Sequence, residues 1–385
     1  MLASLVCGLA PTIEILIGAR VVQGATAAML VPQVLATCQA ALEGQRKARA
    51  LALYGSTSGI AAVVGQLAGG VLVHADIAGT SWRPIFLINI PIGLLVLASA
   101  RFVVPATRSE HPLGVDLVGT VLFAATLVAL LVPLTEGQDL GWPGWVWALL
   151  VVAVPLAAVT YVVERRSEQR GEVPLLPPSL LRLPSMSRGL AITLPFAMGF
   201  GAFMFVFALT VQDGLHYDPL RSAVAILPMA VLFLIGSILS PALIARFGRG
   251  AMATAGAVQV VGLALAITVV LRAWPDVTML DFAVPLALIG ATQSVLFTGL
   301  FRVVLADVPA HHAGIGGGVL ITIQHAGLAL GVATLGTLYL AVEPHGVDRA
   351  FALAVGAQLV LVVLITLGTR ALPRFTTEPE PEVRS

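Results

Sequence analysis

Eleven stretches of about 20 mostly apolar residues, bounded by Pro, Gly or charge, constrain this chain more than any other feature. They lie near 13–38, 51–74, 85–104, 115–135, 143–163, 189–212, 222–245, 251–271, 279–305, 314–341 and 350–369. A helix needs about 20 such residues to cross the hydrocarbon core of a bilayer. Composition agrees: 11% of the 385 residues are charged and the mean hydropathy is +0.97, against roughly 25% charged in soluble domains. The expected fold is an all-α polytopic membrane protein whose solvent partner is the lipid bilayer.

Charge sets the expected orientation. The alternate connections carrying Arg46, Lys47, Arg49, Arg101, Arg108, Arg165, Arg166, Arg170, Arg182, Arg188, Arg246, Arg249 and Arg302, with Arg370, Arg374 and Arg384 of the tail, hold 16 of the 21 basic residues. The other set holds Arg83, Arg221, Arg272 and Arg349. The positive-inside rule puts the first set and the C-terminus in the cytoplasm. Eleven spans then put the segment before residue 13 outside. "MLASLVCGLA" would cover only half a bilayer as a helix and lacks the basic start of a signal peptide. It is expected to be the outer end of a helix whose beginning is absent.

The odd residue in that frame is Arg20, inside "PTIEILIGARVVQGATAAMLVP". A guanidinium at the centre of a lone membrane helix costs roughly 2.5–3.5 kcal/mol on insertion scales. Two readings are open. Arg20 can snorkel to the outer interface along its own stem. Alternatively its helix face is wet, since Gln23, Gly24, Ala27 and Ala28 share that face at i+3, i+4, i+7 and i+8. Glu14, two turns earlier, could pair with Arg20 or relay protons from outside. In the next span Gly55, Gly59, Ala62, Gln66 and Gly69 run down one face, widened by Gly65 and Gly70, a groove that lets another helix approach closely.

Several exclusions follow. A net charge of +1 leaves no basic face for nucleic acid. Cys7 and Cys38 lack metal or redox spacing. "GIGGG" (314–318) lacks the GK[ST] of a phosphate loop, and no HExxH or GxSxG constellation occurs. Neither enzymatic activity nor a cofactor or metal is expected. Among polar residues at depth, Asn89 reads as a partner for the kink at Pro91, and Gln212 and Asp213 as interfacial. Gln293 and Gln324 are open between cavity lining and interhelical hydrogen bonding, and His325 between proton relay and packing. Gln259 also lies at membrane depth. Asp116, Asp281 and Glu136 sit at span ends, where interfacial solvation is the default.

"ARVVQGATAA" resembles the fourth-helix signature of the major facilitator superfamily, and "GIAAVVGQLAGG" its glycine-rich antiporter motif, with Gln66 where a proline is usual. "SWRPIFLINIPIG", "VDLVGTVLFAATLVALLVPLTEG" and "LTVQDGLHYDPLRSAVAILP" resemble segments of its fourteen-helix drug:proton antiporter branch, and "ARFGRG" (245–250) resembles a degenerate copy of the superfamily's cytoplasmic basic loop. The resemblance covers nearly the whole chain. It implies that the spans are helices four to fourteen, with helices one, two and most of three absent. It implies two bundles rocking about a midplane cavity: a remnant at 1–10, an incomplete N-terminal bundle at 11–104, an inserted pair with linkers at 105–188, a C-terminal bundle at 189–370 and a disordered tail at 371–385. "GGVLITIQHAGLALGVATLG" (317–336) mirrors the antiporter motif, with Gly327 and Gly331 placed for close packing. The implied activity is proton-coupled efflux of small amphipathic molecules from the bacterial cell across its inner membrane, by a monomer. Arg20, Gln23, Glu14, Gln66, Gln293, Gln324 and His325 would serve coupling or cavity, and Gly55, Gly59, Gly65, Gly69 and Gly70 the seam. Export of one endogenous metabolite, or a truncated fragment without transport, are the alternatives.

Overall fold

A computed structural model describes the chain except for residues 43–45, 47–60, 62–63, 66–67, 105–115, 138–139, 173, 309–312 and 370–385. Every regular element among the described residues is helical. Helix α1 (Leu2–Leu9) turns into α2 (Ile13–Ala41), whose N-cap Thr12 accepts the Ile15 N–H at 3.5 Å. Helices α3 (Pro84–Leu87) and α4 (Asn89–Val103) form one expected span broken at Ile88. The cause is Pro91, which has no N–H for the carbonyl of Leu87. Asn89 stands at that break and is exposed.

The expected inserted pair is α5 (Leu117–Glu136) and α6 (Gly144–Gln169), packed against each other. A connector containing α7 (Pro178–Leu181) leads into α8 (Pro184–Leu209), which closes in a π-turn, Thr210–Gly214. Gln212 and Asp213 are exposed in that turn. Then follow α9 (Pro219–Ala225), α10 (Leu227–Phe247), α11 (Arg249–Ala273) and α12 (Met279–Val304). Helix α13 (Ala313–Gly331) continues through a π-turn (Val332–Gly336) into α14 (Thr337–Val342), and α15 (Val347–Gly368) ends the described chain.

Nine described segments are long and apolar enough to cross a membrane, from Pro84–Phe102 to Val347–Gly368. The 29 residues of α2 match a tenth expected span. The eleventh, 51–74, falls mostly outside the described residues, which keep helical turns at 68–74.

From α8 onward the pairing has an internal symmetry. Helix α8 packs on α13 and α15, α12 packs on α10 and α11, and α11 packs on α15. Exchanging α8, α10 and α11 for α12, α13 and α15 maps these pairs onto one another, as repeats within a bundle would. Glycines carry both central seams. A Cβ on Gly327 would stand 2.7 Å from Ala197 Cβ and 3.0 Å from the Leu194 carbonyl, and one on Gly331 would strike the Met198 carbonyl. In the matching seam, Gly290 faces the Met229 carbonyl, and a Cβ on Gly236 would stand 3.0 Å from that of Ala291. Small residues let helices approach backbone to backbone where lipid offers no hydrophobic drive. The core between these seams is aromatic: Phe207 meets Phe282 edge to face at 5.2 Å, and Tyr339 accepts from Thr210 Oγ1 at 3.3 Å.

Candidate functional site

Arg20 is anchored from two sides. Its Nη1 donates to Gln23 Oε1 at 2.8 Å, and Gln23 Nε2 donates to Ser4 Oγ of α1 at 2.8 Å. Its guanidinium lies 5.6 Å from the centre of the Phe86 ring on α3, within cation–π range. Helix α1 is held against the same corner by Arg83 Nη2, which donates to the Ala10 carbonyl at 3.1 Å. On α2, Ala19 is buried while Leu16 and Gln23 are half-buried, so residues 16, 19 and 23 form the face that meets α1. Arg20 sits at the edge of that face and is exposed, as are Gly24 and Ala27. The polar stripe read from spacing therefore divides: Gln23 turns inward to Ser4, and the small residues remain uncovered by any described helix.

Glu14 does not pair with Arg20. It is exposed in the first turn of α2, and the described ion pairs, both on Asp218, do not include it. Two helical turns and the inward pull of Gln23 separate the charges.

Gln293 resolves toward hydrogen bonding. It is 3% exposed and its Oε1 accepts from Gln259 Nε2 at 2.7 Å, joining α12 to α11. The equivalent place between α15 and α8 holds Gln358 packed on Gly199, at 3.2 Å from where a Cβ would stand. Gln358 was absent from the sequence reading. Its signal is positional, since it stands in α15 where Gln259 stands in α11. Gln324 is buried in α13 with an amide nitrogen that has no described partner, which leaves it the stronger cavity candidate. His325 is exposed and its Nδ1 lies 2.9 Å from the Ile321 carbonyl one turn earlier. A carbonyl only accepts, so Nδ1 is the donor in that contact.

The seam residues are described only in part. Gly55, Gly59 and Gln66 lie outside the described residues, and Gly65 and Gly69 have no described atom within 4 Å of an added Cβ. Gly70 is in tight contact. Its Cβ would stand 2.6 Å from Ala223 Cβ and 2.9 Å from the Pro219 carbonyl of α9. One turn on, His74 Nδ1 lies 4.0 Å from Asp218 Oδ1. Asp218 caps α9 by accepting the Arg221 N–H at 2.8 Å. That N–H, with the charges of His74 and Arg221, holds the Asp218 carboxyl below the ordinary range.

Two carboxylates depart from the expectation of solvated charge. Asp116 caps α5 through the Gly119 N–H at 2.7 Å and also accepts the Leu175 N–H at 3.2 Å. Glu164, read as part of a charged connector, is 1% exposed. The run "ERRSEQR" reads as solvated because helical phase alone does not say which residue the connector folds over. Asp281 and Glu136 are exposed at their helix ends, as expected.

Known proteins agree with this architecture. The model of the Major Facilitator Superfamily matches residues 1–332. The chain is 33% identical over 338 residues to a Streptomyces coelicolor protein named "Probable actinorhodin transporter", covering 88% of this chain and 58% of the relative. It is 33% identical over 387 residues to a puromycin resistance protein of Streptomyces alboniger, covering 94% and 75%. It is 26% identical over 336 residues to a "Tetracenomycin C resistance and export protein" of Streptomyces glaucescens, covering 86% and 60%. Helices long enough to cross a membrane, glycine-tight seams, a family match over most of the chain and relatives named for transport and resistance meet in one conclusion: this chain belongs to the Major Facilitator Superfamily of membrane transporters.

Proposed function

We propose that this chain serves proton-coupled efflux of amphipathic small molecules from a bacterial cell, by alternating access. The observation that carries the reading is Gly70 against Pro219 and Ala223. There a helical stretch of the N-terminal half, bare at Gly70, meets the Ala223 methyl and the Pro219 carbonyl of the C-terminal half. Charge bias puts Arg83 and Arg221, and with them this contact, on the outer side. The contact then acts as the outer closure, and opening it exposes the passage to the outside. Arg20 and Gln23 line the passage or its proton path, with the Ser4 hydrogen bond fixing their register. Gln324 adds an amide nitrogen without a described partner from the other half, and His325 stands beside it as a candidate for proton relay. The names of the relatives, for resistance and export, support the direction of transport.

A dye-efflux assay with and without a proton gradient tests this on the protein in membranes. Arg20→Ala is expected to abolish gradient-dependent efflux while insertion stays intact. Normal efflux in that variant overturns the role given to Arg20. A second reading, export of one endogenous metabolite, is favoured by a relative named for a single compound. A substrate panel separates the two, since a narrow profile supports the second.

A further inference from the structure

Glu164, near the end of α6, faces the capped start of α5 with its side chain almost fully buried. Four carboxylate oxygens meet there and three N–H groups serve them. Asp116 Oδ1 takes Gly119, Asp116 Oδ2 takes Leu175 at 3.2 Å, and Glu164 Oε2 takes Leu176 at 3.0 Å. Among the described residues Glu164 Oε1 has no partner. A Cβ on Gly119 would collide with both Glu164 Oε1 and Asp116 Oδ2, so these two oxygens converge over the bare glycine. A cavity of about 150 Å³ opens beside them, walled by Phe123, Thr126, Thr160, Tyr161 and Leu176.

The surrounding charges do not neutralise the pair. Among the described residues no Lys or Arg forms an ion pair with either carboxylate. Arg165 and Arg166 of α6 and Arg182 after α7 are exposed, as is Glu172 of the connector. Tyr161 lines the cavity, and Glu168, one turn on, is engaged by the N–H and hydroxyl of Ser179. Arg108, Glu110 and His111 lie outside the described residues. Two carboxylates this close, with Glu164 buried and Asp116 half-buried, repel one another when both carry charge. A buried acceptor without a donor calls for a physical cause.

We propose that Asp116 and Glu164 are a proton-binding site in which one proton, taken from water, is shared between Glu164 Oε1 and Asp116 Oδ2. The proton turns the orphan oxygen into half of a hydrogen bond. It leaves one negative charge, which three N–H groups and the N-terminus of α5 stabilise. The site is also a latch. The accepting oxygens hold Leu175 and Leu176, and the connector they belong to leads into α8. With the proton bound, the connector is clamped to the α5–α6 pair. As pH rises and the proton leaves, two neighbouring anions repel and the clamp loosens. This inference does not depend on the role of Arg20.

The test uses the full chain in lipid nanodiscs, with infrared spectroscopy and amide exchange across pH. In Glu164→Gln the amide nitrogen donates to Asp116 and the amide oxygen accepts from Leu176, so the latch no longer needs a proton. The wild type is expected to show a protonated-carboxyl absorption that is missing from Glu164→Gln and from Asp116→Asn. Its Leu175 and Leu176 amides should lose about ten-fold of their protection as pH rises, the scale of one hydrogen bond, while Glu164→Gln stays flat. A protonated-carboxyl band untouched by both substitutions overturns the proposal. So does protection in Glu164→Gln that follows pH as the wild type does. Should Glu164→Gln fail to fold, Asp116→Asn carries both measurements.

Discussion

Replacing Gly70 by Ala tests whether the meeting of the two halves is a gate or static packing. The added methyl would stand 2.6 Å from Ala223 Cβ and 2.9 Å from the Pro219 carbonyl. Carbon atoms sit comfortably at about 3.5–4.0 Å, so the helical stretch must retreat from α9 by about 1 Å. Overpacking of this kind costs typically about 1–3 kcal/mol. If the contact forms only when the outer side is closed, as proposed, the cost falls on that state alone. At about 2 kcal/mol the closed population drops roughly 30-fold relative to the open one. Spin labels at Asp76 and Arg221, both exposed, report the change as a longer mean distance with an unchanged inner side. Ala223→Gly in the same chain removes the nearer clash and should restore part of the closed population, leaving the carbonyl clash. A Gly70→Ala protein with the wild-type distance distribution refutes the reasoning. A protein that merely melts earlier, with no change in distance, shows static packing instead.

Other expectations follow from the same geometry. Gln293→Leu strands Gln259 in α11, whose Oε1 already lacks a partner among the described residues, and should lower the melting temperature. Gln259→Leu with Gln293→Leu should recover most of that loss. The coupling read from the cycle should be about 0.6–1.7 kcal/mol, the range for hydrogen bonds between membrane helices. Gly331→Val, which drives a branched side chain at the Met198 carbonyl, should separate α13 from α8 and abolish folding or transport, while Gly356→Val, with open space around its Cα, should do neither. The Asp218 cap has a pH sign: its carboxyl is held below the ordinary value. Its contribution to α9 is therefore complete above about pH 4, the unfolded range, and is lost as pH falls from there through the depressed value. Asp218→Ala should remove that acid-limb difference in a melting profile, whereas Asp218→Asn, which still accepts from Arg221, should keep the cap without its pH dependence.

The span pattern was legible because lipid imposes a simple rule on a helix: about 20 apolar residues and internal hydrogen bonding. Gly327 and Gly331 were legible for the same reason, since a small-residue repeat has few uses other than close approach. Periodicity could not choose between the two readings of Gln293, because the choice depends on Gln259 standing opposite, 34 residues away. Glu14 and Arg20 share a helix, yet spacing along it does not register that Ser4 of α1 draws Gln23 and the guanidinium the other way. Asp116 and Glu164 lie in separate segments that each look solvated. Only the fold of the connector over α6 brings their oxygens together with the backbone of Leu175 and Leu176.

The sequence by itself determined the solvent, the helices and the glycine-lined faces, because those follow from the chemistry of residues near one another along a helix. The tertiary structure decided which polar atoms found partners and which were left without one. Partnership is set by what the chain folds across, and in a low-dielectric interior an absent donor or a second charge matters more than the identity of the side chain that bears it.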